Sequence, residues 1–280
     1  MADIRKTNIF LLIFMYVIVI IFAVLAIYPI FWLIIQSFKT TQEYMTASKL
    51  AFPKLWFYKN YPWAWTMGRF SILIFNSVLY TSVTVIAVIF FSFMAGFAFA
   101  KLPSKLTPLL HGSFIIGILL TLQSILVPLF LMINAVGLYN TRMGVLIPYI
   151  GIGLPMAVYL STEYIKSIPD SVIESARIDG AKYLSIFRVI IMPMAAPVAA
   201  TVAILQVTGT WNEFMLINIL VSQNELKSLP VGINMFSGAL ASDYGKQFSA
   251  LVIGMIPMIV FYVIFRKRIT TGVAAGSVKG

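Results

Sequence analysis

Long uncharged runs dominate the pattern of hydrophobic and polar positions along the chain. An α-helix needs about 20 apolar residues to cross roughly 30 Å of hydrocarbon. Runs of that order occupy residues 7–38, 70–100, 106–141, 143–162, 189–212 and 247–265. We therefore predict an all-α polytopic membrane protein with six spanning helices, at about 9–35, 72–99, 109–134, 144–161, 195–220 and 247–265.

The composition agrees with a chain dissolved in lipid. The 280 residues are 60% hydrophobic and 10% charged, with a mean hydropathy of +0.95, and this apolar fraction exceeds that of soluble domains. The first run follows Arg5 and Lys6, but it is longer than the apolar core of a signal peptide and ends in no small-residue cleavage site. We interpret it as an uncleaved first span.

Lysine and arginine set the expected orientation, because cytoplasmic loops carry an excess of both. With the N-terminus inside, the inner segments carry twelve of the 20 and the outer segments eight. Lys101, Lys105 and residues 266–268 lie close to span ends and count most. We expect both termini in the cytoplasm, and the net charge of +11 fits anionic lipid headgroups better than nucleic acid.

The most polar inner segment is 174–193, ESARIDGAKYLSIFRVIIMP. Its apolar positions 184, 187 and 191 have the spacing of one helix face, and Gly180 stands where a turn could use a positive φ. Asp170 and Ser171 can cap a helix N-terminus, which would put Glu174 in the first turn, where the helix dipole favours a carboxylate. The segment predicts a short helix, a tight turn and a second short amphipathic helix outside the bilayer.

Span five carries Glu213, the only acid set well within an apolar run, in the stretch TWNEF (210–214). An ionisable residue at membrane depth is a functional candidate, which favours a side chain that lines a cavity. Glu213 also lies roughly 27 Å from the inner end of the span and so reaches toward the outer headgroups, which favours a structural role. Both interpretations stay open at this point.

Three other segments carry weaker signals. The first outer segment, about 38–70, is dense in aromatic rings, which indicates either an aromatic belt at the headgroups or a platform for an extracytoplasmic partner. Gly96 and Ala100 form a small-xxx-small pair that favours close helix approach. Residues 266–280, rich in Gly, Ala and Thr, are expected on their own to be disordered.

Several chemistries are excluded by residues that the sequence lacks. With no cysteine and a single histidine, thiolate and histidine-cluster metal sites are excluded. No G-x-x-x-x-G-K-[ST] phosphate loop occurs, so this chain cannot hydrolyse ATP itself. A secondary carrier would show inverted repeats and a charge pair at the midplane, and a membrane enzyme would show clustered acids or histidines. Both remain alternatives without support in the pattern.

The spacing within 174–193 carries a family resemblance. Glu-Ser-Ala at 174–176, three residues, Gly180, nine residues, Ile190, one residue and Met-Pro at 192–193 resembles the EAA loop of importer permeases in the ATP-binding cassette (ABC) family. Ser and Met stand where that loop usually has Ala and Leu. The carbohydrate-uptake branch, and its smaller, maltose-type permease subunits, are similar also in the segments WNEF (211–214), LPVG (229–232), DY (243–244) and TTGVAAGSVKG (270–280).

The resemblance implies a type I ABC importer permease fold in a single transmembrane domain. Its parts would be the first span with the outer aromatic segment (1–71), the core with the coupling loop at 170–193 (72–265) and a cytoplasmic tail (266–280). It implies sugar import across a bacterial plasma membrane. The partners would be a second permease subunit, two ATPase subunits and an extracytoplasmic solute-binding protein, with ATP and Mg²⁺ bound by the ATPases and no cofactor bound by this chain.

The resemblance also implies roles for individual residues, none of them catalytic or metal-binding. The residues that would couple the chain to the ATPase are Glu174, Ala176, Asp179, Gly180, Ala181, Phe187 and Pro193. The tail residues that would lie at the ATPase interface are Gly276 and Lys279. The candidate cavity or gate residues are Asn212 and Glu213.

Overall fold

The computed structural model describes residues 9–102, 104–239 and 243–277, without the side chains of 236–239 and 266–277. The described residues are helical with short connections, as the all-α prediction requires. They fall into two compact units, 1–69 with 233–257 and 70–232 with 258–280. The helices are α1 Ile9–Ser37, α2 Thr41–Thr46, α3 Asn60–Met67, α4 Phe70–Lys101, α5 Thr107–Leu119, α6 Leu122–Ala135, α7 Arg142–Lys166, α8 Asp170–Ile178, α9 Tyr183–Met194, α10 Ala196–Asn212, α11 Met215–Leu220, α12 Leu229–Ala239 and α13 Tyr244–Ser277.

Four of the described helices are long and apolar enough to cross a membrane: α1, α4, α7 and the Tyr244–Phe265 part of α13. Two bent pairs also qualify, α5 with α6 at 109° and α9 with α10 at 73°. The number of candidate spans therefore reaches the predicted six if each bent pair counts as one span.

Two of the predicted spans are wrong as single straight helices. The third breaks at Leu120 and Thr121, whose backbones are extended. The fifth, predicted at 195–220, breaks between α10 and α11 at Glu213, which is also extended. Neither of these breaks carries a Pro or Gly at the joint, so the uncharged runs that predict span length could not reveal them. The 73° bend between α9 and α10 is a different one, at Ala195 between Pro193 and Pro197.

The inner part of the second unit is built on close packing of α4 against α7. A Cβ atom on Gly96 would lie 2.9 Å from Cβ of Ser161, so the two helices approach more closely than any side chain at that position would permit. Ser92 and Ser161 join the same helices by a hydroxyl hydrogen bond of 3.4 Å. The close approach predicted from the small residue Gly96 is confirmed.

A loop of the second unit, 222–228, is held by side chains of α4 and of the connection between α6 and α7. The Asn76 amide donates hydrogen bonds of 2.7 and 3.0 Å to two of its carbonyls, and the Tyr80 hydroxyl donates one of 2.8 Å to a third. The Asn140 carboxamide oxygen accepts from two of its backbone N–H groups, at 3.1 and 3.0 Å. These polar contacts satisfy backbone groups that no helix pairs.

The aromatic outer segment folds within the first unit. Asn60 donates 2.8 and 3.0 Å hydrogen bonds to the carbonyls of Ser37 and Lys39, which ties the start of α3 to the end of α1. The rings of Phe52, Trp56 and Tyr58 remain exposed. Exposed rings on a folded segment are compatible with both the headgroup belt and the docking platform.

The tail departs from the expectation of disorder. Helix α13 continues without interruption from its spanning part to Ser277, while Lys279 lies outside the described residues. Because the spanning part already supplies a helical nucleus, the tail adds a hydrogen bond for each residue that it fixes. A Gly/Ala/Thr sequence without proline does not prevent that extension.

We predict that Gly96→Leu destabilises the protein because α4 and α7 must separate, at a cost of about 1–3 kcal/mol typical of overpacking. Gly112→Leu on α5 is the matched control, since a Cβ there meets no atom within 4 Å. The measurement is thermal unfolding of the purified protein in detergent. Equal unfolding midpoints for the two variants would show that the α4–α7 contact contributes nothing to stability.

Candidate functional site

The loop between α7 and α10 adopts the helix–turn–helix form predicted from its sequence. Helix α8 ends at Ile178, and Gly180 follows with φ +81°. Its N–H donates to the Arg177 carbonyl at 3.0 Å, and the Ala181 N–H donates to the Ala176 carbonyl at 2.9 Å. This pair of bonds is the Schellman arrangement, which closes a helix on a left-handed residue. The left-handed conformation proposed for Gly180 is confirmed.

The expectation about the start of α8 is wrong. The residue at the N-cap position is Pro169, and no side chain caps the helix. Asp170 is already inside the first turn and its carboxylate binds Lys101, while Ser171 offers its carbonyl to the Ser175 hydroxyl. Because the helix begins at Asp170, the acid favoured by the dipole is Asp170, and Glu174 lies beyond the first turn.

The residues proposed for ATPase coupling divide by exposure. Ala176 and Ala181 are half-buried against an apolar cluster that includes Phe97, Ile165 and Ile186. The exposed ones are Glu174, Asp179, Gly180 and Pro193.

Phe187 differs from the other proposed coupling residues, because its side chain is only 5% exposed and its ring lies 5.7 Å from that of Phe97 on α4. Phe187 was proposed as a coupling residue, and its burial rules out direct contact of its ring with another protein in this conformation. The ring of Phe187 packs against residues of this chain, and this packing holds the loop in place.

Ile178 and Leu184 are apolar side chains that face outward from the loop, with exposures of 86% and 67%. They flank the Gly180 turn, one before it and one after it, and α9 exposes two further side chains of this kind, Tyr183 at 43% and Val189 at 70%. Neither Ile178 nor Leu184 is in the set of coupling residues proposed from the sequence. The signal for both was weak, because helix periodicity places an apolar residue on a face but does not say whether the face meets this chain or another.

A π-helical turn, Phe187–Ile191, interrupts α9 just before Pro193. In a regular α-helix the ring of Pro193 would press against the carbonyl four residues earlier, and its missing N–H would leave a carbonyl unpaired. The wider turn relieves that conflict, because Met192 N–H donates to the Phe187 carbonyl five residues back. Single π turns within helices are frequent at functional sites.

Glu213 organises the break between α10 and α11. Its carboxylate accepts hydrogen bonds from the N–H of Leu216 at 2.7 Å and of Ile217 at 3.2 Å, so it caps the start of α11. It also accepts from the Tyr149 hydroxyl of α7 at 2.7 Å. The carboxylate thus replaces backbone partners lost at the break and ties it to the neighbouring helix.

Glu213 also lines a cavity of about 330 Å³ between α7 and α10, so the two interpretations of this residue are compatible. The walls are largely apolar, with the Gln206 amide and the Thr210 hydroxyl as further polar groups, joined to each other at 3.1 Å. Asn212 does not line this cavity; it is exposed and donates to the Thr208 carbonyl of its own helix. Within the described part of the chain, no group of three or more His, Cys, Asp or Glu side chains could hold a metal ion.

Comparison with known families identifies the chain. The family described as binding-protein-dependent transport system inner membrane component matches residues 4–273. The chain belongs to this family. Its place among inner membrane components agrees with the long apolar helices.

Curated relatives of this inner membrane component cover nearly its whole length. The probable ABC transporter permease protein YurM of Bacillus subtilis is 32% identical over 99% of the chain and 90% of its own length. The multiple sugar-binding transport system permease protein MsmG of Streptococcus mutans is 33% identical, over 94% of the chain and 96% of its own. The trehalose transport system permease protein SugB of Mycobacterium tuberculosis is 31% identical, over 91% and 93%.

A solved structure supports the fold independently. A bacterial ABC transporter involved in the import of the acidic polysaccharide alginate contains a chain that matches this inner membrane component with a TM-score of 0.82. The match covers 94% of this chain and 98% of that one, at 23% identity. The helical arrangement is therefore that of an ABC importer permease, as the resemblance in the EAA loop implied.

We predict that Glu213→Gln lowers stability, because an amide group cannot accept hydrogen bonds at both of its terminal atoms. Either the Leu216 N–H or the Tyr149 and Ile217 donors lose their partner, at about 1–3 kcal/mol for a buried donor. Thermal unfolding of Glu213→Gln, Tyr149→Phe and the double variant should show non-additive effects, since the residues are in contact.

Glu163→Gln is the control, because Glu163 pairs with Lys166 where both side chains are well exposed. Such pairs contribute about 0–1 kcal/mol. Wild-type assembly, stability and solute uptake in Glu213→Gln would reduce Glu213 to a bystander at the headgroups.

Proposed function

We propose that the chain is a transmembrane subunit of an ATP-driven, binding-protein-dependent sugar importer. Support comes from the family and from relatives whose names include sugar transport systems over more than nine-tenths of the chain. The chain would work with a second permease subunit, two ATPase subunits that bind ATP and Mg²⁺, and an extracytoplasmic solute-binding protein. Both termini would lie in the cytoplasm of a bacterial cell.

The observation that carries the coupling proposal is an exposed surface on an internally fixed loop. Ile178 and Leu184 project from the two sides of the Gly180 turn, and Glu174 is exposed on α8. The same loop is fixed from beneath by Phe187 and by the half-buried alanines. Apolar side chains exposed together in a basic setting favour docking to another protein. The partner would be an ATPase subunit, whose closure on ATP would move the loop and with it the spanning helices.

The path for the solute would run along α10. This helix carries Thr208 and Asn212 exposed on its surface, within an uncharged run whose lipid-facing side chains would be apolar. An exposed polar face within a spanning helix favours a water-filled path or a partner subunit. Gln206 and Glu213 add polar groups in the adjoining cavity. Asn212 and Glu213 are our candidates for cavity or gate residues on this path.

We predict that Gly180→Val breaks the contact with the ATPase while leaving the protein inserted. A β-branched residue at φ +81° is strained, by about 1–2 kcal/mol, so the turn would open and misdirect α9. Gly180→Asn is the matched control, because asparagine tolerates the left-handed region and a Cβ at this position meets no atom within 4 Å. ATPase copurification and sugar uptake are measured for both variants.

Glu174→Arg is expected to have the same effect, by placing a positive charge where a basic group of the partner would bind. Its control is Glu163→Arg, which reverses an acid at the inner end of α7 outside the loop. If Gly180→Val and Glu174→Arg both retain the ATPase at wild-type stoichiometry and transport normally, the 170–193 segment is only a connection between spans.

Deletion of residues 270–280 is expected to lower coupled transport while membrane insertion persists, because the spanning segments remain. The proposed reason is that Gly276 and Lys279 belong to a tail that reaches the ATPase subunits. Uptake and ATP hydrolysis are measured in the assembled complex. Wild-type rates of both in the truncated complex would contradict this role of the tail.

A further inference from the structure

Lys101 is the last residue of α4, and its side chain is 5% exposed. Its Nζ atom donates a hydrogen bond of 2.6 Å to the Ile168 carbonyl, in the short connection between α7 and α8. It also lies 2.6 Å from Oδ1 of Asp170, in the first turn of α8. A buried lysine ammonium needs such partners, because burial of an unpaired charge is strongly unfavourable. The cation therefore fastens the entry of the coupling loop to α4.

The exit of the loop is fastened to the same turn of α4. Phe97 lies four residues before Lys101, so the two side chains share a face of the helix. Phe97 contacts Phe187, the first residue of the π-helical turn in α9. One turn of α4 therefore holds the loop at two points, with a polar contact at the entry and an apolar contact at the exit. Two separated contacts resist rotation of the loop relative to α4, which one contact would permit.

The contact with the Ile168 carbonyl carries more of this fixation than the ion pair does. The Asp170 side chain is 75% exposed, and an exposed carboxylate is screened by water and salt. Ile168 is buried, and its carbonyl lies at the joint about which α8 would pivot. The short connection, residues 167–169, leaves the first turn of α8 to be held by Lys101, while Ile173 holds the middle of the helix in the apolar cluster that also contains Phe97 and Phe187.

We propose that Lys101 is a positioning residue for transport: it transmits the movement of the coupling loop to α4, so that ATP hydrolysis in a partner subunit moves the spanning helices. The inference rests on the proposed function, because it needs a partner that pushes on the loop. Without Lys101, α8 would still present Ile178 and Leu184 for docking and would keep the apolar contacts of Ile173, but its first turn would move without displacing the end of α4. Docking and hydrolysis would then continue while transport fell.

The test compares Lys101→Met with wild type in the complete transporter in proteoliposomes, with the solute-binding protein present. Methionine keeps the apolar stem and removes the ammonium group. We expect the ATPase subunits to copurify at wild-type stoichiometry and ATP hydrolysis to stay within about twofold. The ATP hydrolysed for each solute imported should rise about tenfold, within the range typical of coupling between sites.

Two controls separate coupling from charge and from folding. Asp170→Asn removes the ion pair but leaves Lys101 bound to the Ile168 carbonyl. In this variant the ATP hydrolysed for each solute imported should differ from wild type by less than about twofold. Lys166→Met removes a lysine that pairs with Glu163 at the inner end of α7, where both side chains are exposed, and it should behave as wild type. Lys101→Gln, whose amide still donates one hydrogen bond, should give an intermediate ratio and replaces Lys101→Met if the latter does not assemble.

The outcomes distinguish this inference from the proposed function on which it rests. If wild type itself retains no ATPase, the proposed function fails. If wild type couples normally and Lys101→Met or Lys101→Gln keeps the wild-type ratio of ATP to solute, the positioning role is overturned while the proposed function stands. Parallel loss of assembly, hydrolysis and transport in both variants would overturn it as well, since Lys101 would then be only a folding residue.

Discussion

The close approach of α4 to α7 is the constraint on which the inner half of the second unit depends. Because Gly96 lets the helices meet at Ser161, their inner ends are close enough for Lys101 at the end of α4 to reach the Ile168 carbonyl beyond the end of α7. The same α4 turn presents Phe97 to Phe187. The position of the loop thus depends on a helix contact formed by the spans, and the exposed surface of the loop is built on a buried core.

The outer half uses polar side chains for a similar purpose. A spanning helix can break only where its freed backbone groups find other partners. Glu213 supplies two of these partners and a bond to Tyr149, and Asn76, Tyr80 and Asn140 supply others for the 222–228 loop. The acid at this break therefore supplies partners that the local backbone requires, and it also lies in the wall of the adjoining cavity.

Features set by local sequence were predicted well, and those set by distant contacts were not. The spans follow from run length, and the conformation of Gly180 follows from its place between two apolar sets. The breaks at Leu120 and Glu213 carry no local breaker residue, so span pattern alone missed them. Asp170 was expected to cap α8, whereas its carboxylate binds Lys101. Local sequence could not predict this contact, because Lys101 lies 69 residues away. Phe187 was assigned a coupling role from the resemblance of its segment to the EAA loop, and helix periodicity could not correct this because it does not tell which protein a buried face meets.

We propose that the 170–193 loop binds the ATPase through its exposed surface and is fixed from within by this chain. The most direct test places a photoreactive amino acid at Leu184, Phe187 or Ile116 in the assembled transporter and identifies the adducts. Leu184 and Ile116 are similarly exposed, at 67% and 63%, while Phe187 is buried. We expect adducts with the ATPase from Leu184, adducts within this chain from Phe187, and no ATPase adduct from Ile116 on α5. Absence of an ATPase adduct from Leu184, or one from Phe187 instead, would contradict this proposal.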